Sequence, residues 1–433
     1  MTATRYSLAP ARIGTPKPAF LDGFARQMVI SRLRRLRHGR LLLRDGKEQH
    51  EFGVASEVLA VRSTVTVHDR RFYSELAFGG SIGAAEAYML GYWTCDDLTG
   101  LVRIFARNQH LLQTLEGGTA RLTAPLQKLF HWLNRNSQRG SQRNIAAHYD
   151  LGNDLFALFL DERMMYSCAF FEREDVTLEE ASTAKLERIC RKLRLRADDH
   201  VLEIGTGWGG FAIYAASHHG CRVTTTTISE QQYRFAVARV ARAGLAERVT
   251  VLLKDYRELH GQYDKLVSIE MIEAVGHQYY DAYFRRCSEL IKPDGMMLLQ
   301  AITIADQRYE QAKREVDFIQ RYVFPGSCIP SVAAITGAVA QATDMRLLQH
   351  EDIGLHYAIT LRHWRQRFFA NIDRVRAQGY SEVFIRLWEF YLCYCEGGFS
   401  EGVISDVHML FVKPLCRDMP ERGLSLSYAE QAA

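Results

Sequence analysis

The chain has 433 residues and a net charge of +4; 47% of its residues are hydrophobic and 24% charged. That length predicts two domains rather than one, and the composition is ordinary for a soluble globular chain. No run reaches the ~18 apolar residues of a membrane span, so a membrane would be met from outside. The nine cysteines lack paired metal spacing and no apolar segment follows the basic N-terminus; reduced thiols in a cytoplasm, and no metal, are expected.

Residues 1–24, with Pro10, Pro16 and Pro18, read as a loose arm. From Phe24 to Arg44, apolar Met28, Ile30, Leu33 and Leu36 alternate with Arg26, Arg32, Arg34, Arg35, Arg37, Arg40 and Arg44, with no acid until Asp45. This is either a solvated basic helix face or a contact for anionic lipid headgroups. No aromatic residues interleave the arginines, which argues against nucleic acid. Partial alternation over Glu51–Phe78 predicts a small half-buried sheet broken by Gly79, Gly80 and Gly83. Helices are expected over Ala84–Tyr92 and Leu98–Leu112. Together these define a small α+β domain over 25–115. A junction at 116–143 carries Leu126, Leu129, Phe130 and Leu133 on one helical face beside Trp132, either an interfacial amphipathic helix or a buried inter-domain one. Beyond 144, strands alternate with helices. Strands are expected at Asp199–Ile204, Arg222–Ile228, Val249–Leu253, Lys265–Glu270 and Met296–Ile302, with a last one at Ser405–Lys413. Long helical segments at Asp306–Tyr322 and Leu361–Tyr394 are expected to cap this doubly wound sheet, and 416–433 to form a frayed tail.

The stretch Val201–Phe211, VLEIGTGWGGF, reads as strand, tight turn and helix start. Its glycines let a ligand lie against bare backbone. Gly205, Gly207 and Gly210 match G-x-G-x-x-G, but a dinucleotide site also wants an acid about 20 residues on, at the end of the next strand. That strand ends in Thr224–Thr227, and the acid stands before the turn, at Glu203. Acid-x-Gly-x-Gly resembles the first motif of S-adenosylmethionine (AdoMet) methyltransferases. Polar residues at four further strand ends, including Thr227, Gln232, Asp255, Tyr256, Glu273 and Gln300, favour one site along that edge of the sheet.

HYDLGNDLF at 148–156, YSCAFF at 166–171, VLEIGTGWGG at 201–210, TISEQQ at 227–232, MIEAVG at 271–276 and YVFPGSCIPS at 322–331 occur together and in order. On these the sequence resembles the cyclopropane-fatty-acyl-phospholipid synthases and their mycolic-acid cyclopropane synthase relatives. The resemblance covers about 140–415, with a weaker likeness at GSIGAAEAYMLGYW, 80–93. It implies a Rossmann-like class I AdoMet methyltransferase domain with a helical cap over 144–415, preceded by a small N-terminal lipid-interaction domain. The reaction it implies is transfer from AdoMet to the cis double bond of unsaturated phospholipid acyl chains, forming cyclopropane fatty acids, on an anionic membrane surface at its inner face. A homodimer is implied as well.

The same resemblance assigns roles. Tyr166 and Ser167 reach the methionine carboxylate of AdoMet, Gly205 and Gly207 let the main chain approach its methionine part, Thr227 and Gln232 hold the ribose, and Asp255 and Tyr256 border the adenine. A bound bicarbonate is the implied proton acceptor, with Cys168 and Tyr357 at its pocket, Glu273 beside it and the main chain of Ile302 donating to it. Taken singly, Cys168 or Tyr357 reads equally as a packed core residue. One departure stands out. The best-known members carry His-Thr-Ile where this chain has Gln300-Ala301-Ile302; Gln300 can donate to an anion but cannot titrate near neutral pH. Glu270 adds a carboxylate nearby. The departure keeps open a methyl- or methylene-branched product, and a non-catalytic lipid-binding protein as the alternative class.

Overall fold

The computed structural model describes residues 20–55, 59–111, 151–173 and 175–417. Most of the N-terminal arm, the junction with its Leu126–Leu133 stripe, His148–Asp150 and the tail beyond 417 lie outside the described residues. The described chain forms two compact units, one of residues up to 111 with Tyr380–Gly397, the other of residues 151–379 with 398–417.

In the first unit, β1 (Arg40–Asp45), β2 (Glu48–Phe52), β3 (Arg62–Val67) and β4 (Trp93–Cys95) form a sheet in the order β2-β1-β3-β4. The basic stretch therefore divides: a helix, Phe20–Leu33, stops before Gly39 (φ 79°), and Arg40 and Arg44 lie on β1. Arg26 donates to Asp45 (3.0 Å), which also accepts from Tyr73 (3.1 Å), whereas Arg34, Arg35, Arg37 and Arg44 stay exposed. The glycines at 79–83 do not end an element. One helix, Arg71–Met89, runs through them and kinks at Gly80, whose φ of 61° glycine adopts without strain. Gly83 permits close packing across that kink, because a Cβ there would lie 2.1 Å from the Glu75 carbonyl oxygen. Most of the helix Glu382–Ser400 packs here too, with Tyr88 donating to Glu389 (2.6 Å) and Thr99 to the buried Glu396 (3.2 Å). The single long helix expected over 361–394 is thus three: Gly354–Ala370, Ile372–Ala377 and, after Gly379 in the left-handed region, Glu382–Ser400.

The second unit carries a seven-stranded sheet of β5 (His200–Ile204), β6 (Arg222–Thr227), β7 (Val249–Leu253), β8 (Tyr263–Ile269), β9 (Ile291–Ile304), β10 (Arg346–Asp352) and β11 (Ile404–Val412). The order is β10-β11-β9-β8-β5-β6-β7. The five expected strands are parallel, and β11 and β10 add antiparallel partners at one edge. β10 escaped the sequence reading because it is an edge strand with five of its seven residues exposed, so no apolar alternation marks it. Helices cover both faces: Leu186, Ile189 and Leu193 of the helix Leu178–Leu193 pack with Phe211 and Val267, while Tyr283 and Phe284 of Tyr280–Leu290 pack with Leu266 and Leu299. The strand order reverses between β5 and β8, with β6 and β7 on one side and β9 on the other, so the carboxyl ends of these two parallel strands flank a crevice where ligands of such sheets bind.

Candidate active site

The turn after β5 is shaped by three left-handed glycines, Gly205 (φ 104°), Gly207 (φ 52°) and Gly209 (φ 84°). A Cβ on Gly207 would meet nothing within 4 Å, so the turn faces open space. Gly210 does a different job: a Cβ there would lie 2.3 Å from the Met165 sulfur and 2.9 Å from the Arg163 carbonyl oxygen. This close approach brings 163–168, with Tyr166, Ser167 and Cys168, against the start of the helix Gly210–His218. Trp208 donates to Asn153 (2.7 Å), tying 151–156 to the same turn.

Around it the expected cofactor residues are built into a polar frame. Thr227 donates to Gln232 (2.9 Å), and both are buried. Asp255 accepts from Arg257 Nε (2.8 Å) and Nη2 (2.6 Å), with half-buried Tyr256 beside it packed edge-on to Tyr283 (5.3 Å). Ser167 accepts from Lys185 Nζ (2.7 Å). Glu203 sits differently. It is 2% exposed and receives Thr225 Oγ1 at 2.6 Å, while Thr206 lies 2.7 Å from that same hydroxyl. Its carboxylate braces the turn from inside, and burial pushes it up to about 8. An open glycine turn bordered by hydroxyl, amide and carboxylate groups fits AdoMet, whose sulfonium presents an electrophilic methyl.

The second half of the site is an acid pocket at the ends of β8 and β9. Glu270 follows β8 in the left-handed region (φ 47°), which aims its side chain back toward β9 and β11. Three donors converge on it: Cys168 N–H at 2.7 Å and Gln300 Nε2 at 2.8 Å on Oε1, and the Tyr357 hydroxyl at 2.6 Å on Oε2. Glu273, one short turn on, accepts from Ile302 N–H (2.6 Å), and its Oε2 is buried without a partner. The segment 319–331 is pinned beside it by Cys328 N–H donating to the Glu273 carbonyl (2.8 Å) and Tyr280 donating to the Cys328 carbonyl (2.9 Å). Here the expected helix over 306–322 is short (Asp306–Ala312) and is followed by one π-helical turn, Ile319–Val323, a distortion frequent at functional sites.

Bicarbonate does not fit this pocket as built. Every donor assigned to it, namely Cys168, Tyr357, Gln300 and the main chain of Ile302, is already directed at a carboxylate of this chain.

Three residues of the pocket were not singled out in the sequence. Asp406 and His408 project from one face of β11, where they pair with Ile302 and Gln300. Gln300 Nε2 donates to Asp406 (2.7 Å), and His408 Nε2 lies 3.2 Å from Gln300 Oε1. Lys185, fully buried, supplies the local positive charge. Two polar residues alternating inside an otherwise apolar strand were the available signal.

Charge divides unevenly among these acids. Burial raises all three. Asp406, with Gln300 alone to favour its anion and Glu270 repelling it, stands well above the carboxylate range. Burial and the Glu270 charge push Glu273 up to about 8. Glu270 is raised too, by burial, against Tyr357, Cys168 and Lys185, which favour its charged form; with three donors on its two oxygens it is the best-solvated acid of the three. Burial, then Asp406 and Glu270, hold Cys168 as a thiol, and that thiol donates to the Ala169 carbonyl (3.1 Å), which leaves no thiolate for covalent chemistry. An aromatic wall completes the site, with Tyr166 5.2 Å from Trp364 and Tyr357 6.0 Å from Trp364, edge to face. Anionic and π-rich walls together suit a cationic transition state.

The seven-stranded sheet with its open glycine turn is that of a class I AdoMet methyltransferase. Residues 136–409 match the family described as mycolic acid cyclopropane synthetase, and the chain belongs to that family. It is 40% identical over 334 residues to the tuberculostearic acid methyltransferase of Mycobacterium tuberculosis, covering 75% of this chain and 77% of that one. It is 39% identical over 345 residues to the cyclopropane-fatty-acyl-phospholipid synthase of Escherichia coli K12, covering 77% and 84%. A solved mycolic acid cyclopropane synthase complexed with SAH and CTAB superposes with a TM-score of 0.59 and 33% identity, covering 63% of this chain and 98% of that one. The protein is an AdoMet-dependent methyltransferase.

Proposed function

We propose that this methyltransferase transfers a one-carbon unit to the cis double bond of unsaturated phospholipid acyl chains and closes a cyclopropane ring. The observation that carries the reading is the pairing of an open glycine turn with a buried acid pocket walled by aromatic rings, in a family whose members include a cyclopropane-fatty-acyl-phospholipid synthase. A neutral alkene needs no activated side-chain nucleophile. What the residues must do is orient the alkene, exclude water, stabilise positive charge and take one proton. Tyr166, Trp364 and Tyr357 supply the wall, and the acids that follow β8 supply the charge.

The exposed Arg34, Arg35, Arg37 and Arg44 of the first unit, with Phe24 62% exposed nearby in sequence, support docking on an anionic membrane surface. Among the described residues no helix is long and apolar enough to cross a membrane. A second reading, a methylene-branched product, is favoured by the 40% identity to a relative named for tuberculostearic acid. Incubation with methyl-labelled AdoMet and monounsaturated phospholipid vesicles tests both. Label in lipid with upfield ring protons supports the ring, and vinylidene protons support the branch. No label in lipid, with AdoMet bound, sinks the proposal.

A further inference from the structure

We propose that the Glu270 carboxylate itself is the proton acceptor of the reaction, built into the chain at the place where a bound bicarbonate is implied by resemblance, so that turnover needs no bicarbonate. This rests on the function proposed above. The pocket offers an anion four donors, and three of them, the Cys168 N–H, the Gln300 amide and the Tyr357 hydroxyl, close on the two oxygens of Glu270 within 2.6–2.8 Å. The fourth, Ile302 N–H, is taken by Glu273. A bicarbonate ion would have to break these bonds and enter beside a carboxylate, which repels it. Glu270 is held there at a backbone cost: at φ 47° a side chain is strained, and such strain persists where the surroundings over-determine it. Cys168, Gln300 and Asp406 around it are fully buried, while Glu270 keeps partial exposure and can meet a reacting atom.

The step balances without a further reactant. The alkene π pair forms the new bond to the methyl carbon as the carbon–sulfur pair leaves on sulfur. The chain carbon left electron-deficient is stabilised by the aromatic wall and the Glu270 charge. A C–H of the transferred methyl then gives its proton to Glu270, and the C–H pair closes the ring. A methylene branch balances with the same single proton: a 1,2-hydride shift moves the positive centre to the carbon bearing the new methyl, and loss of one methyl proton to Glu270 leaves the vinylidene; only a saturated methyl branch would need an added hydride donor. Glu270 afterwards returns its proton to solvent.

The test uses the full-length protein in buffer stripped of carbon dioxide, with labelled AdoMet and monounsaturated phospholipid vesicles. Wild-type turnover is expected to change less than twofold when bicarbonate is restored; turnover that collapses on stripping overturns the proposal. Glu270→Gly, which suits the left-handed backbone and opens the anion pocket, should lose about a hundredfold or more in kcat. Added bicarbonate or formate should recover at least tenfold of that loss. Glu270→Gln, which still fills the pocket, should lose activity equally and show no recovery. Retention of more than half the activity by either variant in stripped buffer overturns the assignment. Binding of carbon-13 bicarbonate, read by NMR, should appear in Glu270→Gly and not in wild type, an outcome independent of turnover. If wild type binds AdoMet but labels no lipid under any condition, the proposed function fails instead, and the two failures are distinguishable.

Discussion

His408 and Gln300 face each other across the β9–β11 ladder, and the imidazole decides which end of the amide meets Glu270. Lys192 Nζ lies 3.2 Å from His408 Nδ1 and 2.5 Å from Glu351. An ammonium only donates, so Nδ1 accepts, Nε2 carries the hydrogen, and Gln300 must present its carbonyl to it. The amide nitrogen is thereby turned toward Glu270 and Asp406. Burial, then Lys192, holds His408 well below its usual range, so the ring stays neutral. Burial opposes ionisation of Glu351, but Arg188 and Lys192 bring it down to about 2.

Lys192→Met should therefore lower kcat about tenfold, the worth of one misdirected hydrogen bond to a charged group, with AdoMet affinity unchanged. Lys192→Arg should restore it. Equal losses in kcat and in AdoMet binding would show a merely structural role. Nitrogen-15 shifts of His408 should report the Nε2–H form in wild type and a tautomer mixture in Lys192→Met.

Glu273→Gln should be milder than Glu270→Gln. Below about pH 8 Glu273 is protonated, so an amide nearly reproduces it, whereas Glu270 is the acceptor on which three donors converge. Single-turnover rates of both variants at pH 7 decide this. A larger loss in Glu273→Gln would place the proton-accepting role on Glu273 instead.

Glu203 makes folding pH-dependent. Its folded-state value, about 8, lies above the ordinary 4.5, so the native state holds this proton more tightly than the unfolded chain. The contribution is full below about 4.5, falls as pH rises through that window and is gone above about 8. Glu203→Gln should flatten the dependence of unfolding free energy on pH between 5 and 7.5 by about 1.4 kcal/mol per pH unit, one proton's worth. Denaturant titrations at three pH values measure it, and an unchanged slope would remove Glu203 as its source.

Arg34, Arg35 and Arg37 changed together to Gln should weaken binding to anionic vesicles by about 3 kcal/mol at low salt, with little effect at high salt. Cosedimentation at two salt concentrations reads this. Equal binding by wild type and variant at low salt removes these residues from the membrane contact.

Much of the second unit was legible because parallel strands are short apolar runs and the glycine turn has few alternative uses. Thr227, Gln232 and Asp255 lie at strand ends as expected, since that edge of the sheet collects polar groups. The acid pocket was harder to read. Cys168, Glu273, Tyr357 and Ile302 were found through motifs, but their partner Glu270 was noticed only as a neighbour, because nothing local announces that three distant donors will converge on it. Asp406, His408 and Lys192 come from β11 and a helix more than 200 residues away, and only the sheet order brings them to Gln300. In the first unit, Gly79–Gly83 misled because a kinked helix and a broken sheet share the same glycine signal.

The left-handed conformation of Glu270 sets two demands on one residue against each other. Glycine at that position would adopt φ 47° freely, but it would strip the Cys168 N–H, the Gln300 amide and the Tyr357 hydroxyl of their acceptor and loosen the unfolded chain, so Glu270→Gly should melt below wild type and regain stability when a small anion fills the space. The strained glutamate is thus a ligand tethered to its own binding site: the chain meets the cost of immobilising the anion once, on folding, instead of at every turnover.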